Sequence, residues 1–246
     1  MRKTWAIVRR ELIAYFSSPL AYIVMTAFLL MQGYIFYLIV SFLNNPQTPA
    51  MTPLRLFFGG TIFFWLFLLF VVPVITMRLI AEERRSGTIE VLLTSPVTEM
   101  QVVLAKFAAA MAFYIALWLP TLLYVLVLTR HSEIDLGPVL AGYVGVLLLG
   151  FLFLAVGTFT STLTDNQLIA AIIAFAAMVL FFSIGLVEQL VMSSTLKAVL
   201  GHMNLWTQMD DFAKGIVDSR HVIYQLSVGV LFLFLAAKSL EVKKWR

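Results

Sequence analysis

The 246-residue chain is 61% hydrophobic and 12% charged, with a mean hydropathy of +0.96, whereas a soluble domain is about half apolar and about a quarter charged. That composition excludes a soluble globular enzyme, a disordered chain and a disulfide scaffold, and leaves a protein whose main solvent is lipid. The net charge of +4 is too small and too dispersed for nucleic-acid binding, and the lack of cysteine excludes thiolate metal sites, iron–sulfur clusters and thiol nucleophiles.

At the N-terminus, Trp5, Val8, Leu12 and Tyr15 recur at helical spacing, while Arg2, Lys3, Arg9 and Arg10 lie on other faces. Residues 1–18 are therefore expected to form an amphipathic helix on the membrane surface, with Trp5, Arg9, Arg10 and Leu12 as its contact residues. Such a helix serves as a lipid anchor; a sharper reading makes it a lever between a cytoplasmic partner and the first span. Pro19 starts that span, expected over 20–43 and ended by the turn residues and prolines of 44–53. Inside it, Gln32 is a mid-span amide that wants a partner, in the bundle or at a dimer interface.

Further charge-poor runs long enough to cross a bilayer predict spans at 56–75, 102–128, 139–163, 168–190 and 222–240, six in all. The runs are continuous rather than alternating, which favours helices over a barrel. Pro120 predicts a kink in the third span. Small residues form stripes on the third (Ala105, Ala109), fourth (Gly150, Gly157, Ser161) and fifth (Ala170, Ala174) spans and allow close helix approach.

Three segments are too polar to span: the N-terminal helix, 78–101 and 191–221. In the second, Gly87 permits a left-handed cap after an extension of the second span, and Thr88 can start a new short helix with Glu90 in its first turn. Ile89, Leu92 and Leu93 would share one side of that helix, Pro96 would end it, and Thr98 with Gln101 makes a capping box for the third span. The acids Glu82, Glu83, Glu90 and Glu99 accompany the bases Arg78, Arg84, Arg85 and Lys106. A solvated loop with self-paired charges would contribute little, about 0–1 kcal/mol per exposed pair. A short rigid helix with an apolar tip and a charged rim suits a groove on another protein.

The third segment reads as external re-entrant or surface helices, with Trp206 expected at headgroup depth. Asp210, Asp211 and Lys214 can pair within one helix, Gly215 follows it, and Asp218 and Arg220 precede the sixth span. A metal site from Asp210, Asp211 and His202 or His221 ranks below that ion pairing, so no metal site is expected. Glu188, near the end of the fifth span, is the nearest approach to an intramembrane charge. That scarcity argues against a proton- or sodium-driven carrier.

With the N-terminus inside, twelve of the 17 lysines and arginines fall on the inner side, which favours two cytoplasmic termini. No phosphate-binding loop and no hydrolase motif occurs, so the chain has no means of its own to bind ATP in that way and no evident catalytic set.

The six spans, the N-terminal helix and the stretch AEERRSGTIEVLLTSP over 81–96 resemble an ABC-2 type transporter permease, and DDFAKGIVDSR over 210–220 resembles its gliding-motility (GldF-like) subgroup, with NosY-type permeases as relatives. Such permeases often carry Gly-Lys where this chain has Ala105-Lys106. The resemblance implies a single all-α, non-enzymatic polytopic domain over 1–246 in a bacterial inner membrane, acting as one half of an exporter. Two copies, or this chain and a paralogue, would pair with two cytoplasmic ATPase subunits, which would hold the ATP and magnesium; this chain would bind no cofactor. The element 82–96 would be the coupling helix, with Glu82, Glu83, Gly87, Thr88, Glu90, Leu92 and Pro96 at the ATPase interface, and spans one and five would lie near the dimer seam. An external or periplasmic partner is compatible with this reading. The competing expectation is a mechanotransmitting or scaffold subunit that moves no substrate.

Overall fold

A computed structural model describes residues 2–43, 55–87, 98–131 and 135–244. Among them the architecture is all-α, with no strand, and six helices are long and apolar enough to cross a membrane. The protein is an all-α, multi-pass membrane protein. The helical choice follows from lipid, which leaves backbone N–H and C=O groups no partner outside their own segment.

The N-terminal helix, Arg2–Ser17, runs into the first span, Pro19–Leu43, through Ser18 alone. The second span is Ile62–Thr76, the third Glu99–Trp118 continued by Leu122–His131, the fourth Leu136–Leu163, the fifth Gln167–Leu190 and the sixth Ser219–Lys244. Two outer helices, Ser194–Met203 and Leu205–Ala213, connect the last two spans. Side chains cap several starts. Asn166 accepts from Leu168 N at 2.9 Å, Asp135 accepts from Gly137 N at 2.9 Å, and Thr98 and Gln101 form the expected reciprocal box at 3.2 and 3.3 Å.

One departure from the expected spans and one expected kink have local causes. The second does not start at 56: Leu56–Gly60 forms a tight turn, Gly59 takes φ +98°, and the helix starts afresh after extended Thr61. Trp65 Nε1 donates to the Gly59 carbonyl at 3.0 Å and fixes the turn against the helix it precedes. The third is interrupted by a 3₁₀ turn at Leu119–Thr121, where Pro120 has no N–H to give and Thr121 Oγ1 donates to the Trp118 carbonyl at 2.6 Å.

The fourth span is the centre of the bundle. About two thirds of its apolar window is buried (67%), against 22% in the first and fifth spans. A β-carbon at Gly150 would overlap the Tyr114 ring, and one at Gly157 would overlap Thr76. Around it, Phe28 meets Phe67 and Trp118 edge-on at 4.9 and 5.2 Å, part of an aromatic filling that also takes in Phe57, Phe64 and Trp65.

Candidate functional site at the base of the second span

The second span loses its helical path after Thr76. Residues 77–80 form turns, and a short helix, Ala81–Arg85, resumes the direction. In an unbroken helix the N–H groups of Ile80 and Ala81 would bond carbonyls four residues back. Here both donate to Ser161 Oγ of the fourth span, each at 3.1 Å, while that hydroxyl donates to the Met77 carbonyl at 3.4 Å. One serine thus replaces the missing helical acceptors and ties the break to the most buried span. Gly157, one turn earlier, makes room for Thr76.

The short helix is held on two more sides. Arg84 Nη1 donates to the Thr162 carbonyl at 2.6 Å and lies 3.4 Å from Asp165 Oδ1, which fixes it to the turn between spans four and five. Glu83 faces the other way. Its Oε1 accepts from Arg10 of the N-terminal helix at 2.6 Å, and its Oε2 lies 3.0 Å from Lys106 Nζ. Lys106 also donates to Glu11 at 3.1 Å, and Arg10 reaches the same Glu11 oxygen at 2.7 Å. Two carboxylates and two cations therefore close a ring that joins three helices. The Lys106 side chain is 1% exposed, so its charge depends on these partners. The hydrogen bond to Glu11, with the charges of both carboxylates, raises the Arg10 pKa further above its ordinary value.

Helix Ala81–Arg85 ends at Gly87, whose φ of +71° is left-handed, with its N–H on the Arg84 carbonyl at 3.1 Å. A β-carbon there would meet open space, so glycine is needed for the backbone and not for packing. Glu82 is exposed. Thr88, Glu90, Leu92 and Pro96, the rest of the expected docking element, lie outside the described residues.

On the N-terminal helix, Trp5 is 66% exposed, Arg9 is exposed and Leu12 half-buried. The helix docks on the bundle through Tyr15, which stacks on Phe113 at 5.2 Å and donates to the Ile75 carbonyl at 2.8 Å. Gln32 is buried inside the bundle at 2% exposure.

The opposite end carries a second polar cluster. Asp210 accepts from Arg55 Nε at 2.6 Å and pairs with Lys214 at 2.5 Å. Burial works against the Asp210 carboxylate, but hydrogen bonds from Arg55 and Lys214, and their charges, outweigh it and hold the pKa below the usual carboxylate range. Asp211 does not share Lys214; it lies 3.1 Å from His221 Nε2. Gly215, φ +89°, ends the outer helix, Asp218 Oδ1 accepts from Arg220 N at 2.8 Å, and Arg220 itself is exposed. Glu188 accepts from Asn204 Nδ2 at 2.5 Å, outside the apolar part of its span. Among the described residues no three acids or histidines converge on a point that would hold a metal.

Trp206 packs on the bundle, 4.8 Å from the Phe182 ring and stacked at 6.1 Å on Trp65. Leu205, Gln208, Met209 and Phe212 of the same helix are buried, so the helix packs against the spans through one face. Sequence reasoning missed Glu11, Arg55, Lys106 and Ser161 as site residues. Lys106 carried a signal, a lysine one turn inside an apolar helix, that only a nearby pair of acids explains.

A family model described as ABC-2 family transporter protein matches residues 44–203. No curated protein matches the chain.

Proposed function

The chain belongs to the ABC-2 transporter family, and on that footing we propose that it is the permease half of an ATP-driven exporter, moved by separate cytoplasmic ATPase subunits through residues 78–101. The observation that carries this reading is the threefold fastening of the base of the second span: Ser161 and Arg84 to the fourth span, and Glu83 to Lys106 and Arg10. A push that reaches helix Ala81–Arg85 would be shared with the third and fourth spans and the N-terminal helix, because Arg84 and Glu83 fasten it to all three. Both termini and this base lie on the cytoplasmic side of a bacterial inner membrane in this reading, with 191–221 external. The energy comes from ATP and magnesium bound by the partner, which fits the missing phosphate loop.

The first and fifth spans leave most of their apolar surface open, as a seam with a second copy or a paralogue would require. The resemblance of the 210–220 stretch to gliding-motility (GldF-like) and NosY-like permeases supports that subgroup within this reading. The aromatic filling of the single-chain interior favours a second reading, a mechanotransmitting subunit that moves no substrate. Affinity purification of the tagged chain from its native membranes tests the first point: a co-purifying subunit with Walker motifs is expected, and a chain that purifies without any ATPase contradicts it. Substrate uptake into proteoliposomes carrying the complex separates the exporter from the transmitter.

A further inference from the structure

Between the N-terminal helix, the start of the first span and the base of the second lies a recess of about 110 Å³. Its apolar lining is made by Leu20, Ala21, Val24, Val74 and Leu79 at the foot of the first and second spans. Its rim is polar, with Glu11, Tyr15, Ser18, Arg78 and Glu82. Arg78 has five N–H donors to place. Among the described residues it makes one long hydrogen bond, to Ser18 Oγ at 3.3 Å, and its Nε has no partner. Glu82 stands four residues further on the same rim, yet the two form no ion pair. Tyr15 closes the floor through its bond to the Ile75 carbonyl.

We propose that this recess binds one phospholipid bearing both a phosphate and a primary ammonium, a phosphatidylethanolamine, with the phosphate on Arg78 and Ser18 and the ammonium on Glu82. A guanidinium and a carboxylate that line one recess without pairing with each other suit the two charges of a zwitterionic headgroup. An anionic headgroup would meet Glu82 without a cation of its own, and a trimethylammonium has no N–H to give a carboxylate. The apolar wall assigns the acyl chains to the groove beside Val24 and Val74, so the lipid enters from the bilayer and not from water. The inference is independent of the ATPase reading, since it needs only the depth of Arg78 at the foot of a span.

The test uses the full chain in nanodiscs holding equal parts of ethanolamine-, choline- and glycerol-headed phospholipid, then detergent extraction and native mass spectrometry of the retained lipid. The ethanolamine lipid should be retained about tenfold over the other two, with Arg78→Gln lowering its retention about tenfold and Glu82→Gln removing the preference over choline lipid. Water-soluble glycerophosphoethanolamine should bind at least tenfold more weakly than the lipid, for want of acyl chains. Equal retention of the three lipids, a preference for the anionic one, or an unchanged profile in Glu82→Gln overturns the proposal. Glu82 is exposed and makes no ion pair among the described residues, so that variant carries the test even if Arg78→Gln does not fold.

Discussion

Lys106 is a buried cation whose desolvation is offset by Glu11 and Glu83 at 3.1 and 3.0 Å. Removing it leaves two partly buried carboxylates to share Arg10, whose side chain is 55% exposed, a loss of up to about 3 kcal/mol for a buried pair broken on one side. Lys106→Met is therefore expected to lower the thermal midpoint in detergent by several degrees, and the double variant with Glu83→Gln to recover part of the loss. A single variant that melts like the parent contradicts the ring. Ser161 makes a separate case. Ser161→Ala strips the acceptor from two buried N–H groups, Ile80 and Ala81, at about 1–3 kcal/mol for each group left unpaired. Hydrogen exchange at those amides should rise by at least tenfold, more than at residues 62–72 of the same span. The serine's role was not legible in the sequence, where a small-residue stripe reads as packing; the lysine's place inside an apolar run was a signal, but its partners were not. What distinguishes them is a partner 81 or 95 residues away.

The outer helix Leu205–Ala213 is held by Arg55, by Asn204 at its cap and by the burial of Phe212 and Met209. Its amphipathic period was readable in the sequence; its fit against the spans was not, because a helix with Trp206 at one end and Asp210 at the other fits a surface as well as a crevice. The crevice exists because Gly145 leaves room for the Phe212 ring, a fact about a different span. A pH dependence follows from Asp210. Its folded pKa lies below the ordinary value of 3.8, so the stability it contributes is fully present above that value and is lost as pH falls through the folded one. Trp206 fluorescence, with the ring against Trp65 and Phe182, should hold steady from pH 7 down to about 4 and change only below. Asp210→Asn should change the signal little across that acid range. A parent transition already complete well above that acid range would contradict this assignment.

Across the whole molecule, all six spans were legible because roughly 20 apolar residues cross a bilayer in any context. The breaks at Gly59 and after Thr76 were not, since each depends on a donor or acceptor supplied by another part of the chain. The family followed from the stretch around 81–96 and from the matched residues 44–203, while the force path had to be read from Ser161, Arg84, Glu83 and Lys106. Under the proposed function, that path makes the base of the second span the place where outside work enters. The most direct measurement is ATP hydrolysis by the reconstituted complex of this chain with its ATPase, in the parent and in Glu90→Lys and Gly87→Val. The account predicts unchanged membrane insertion with coupled hydrolysis reduced about tenfold or more, a loss of about 1.4 kcal/mol in coupling. Full hydrolysis and full transport in both variants would contradict it.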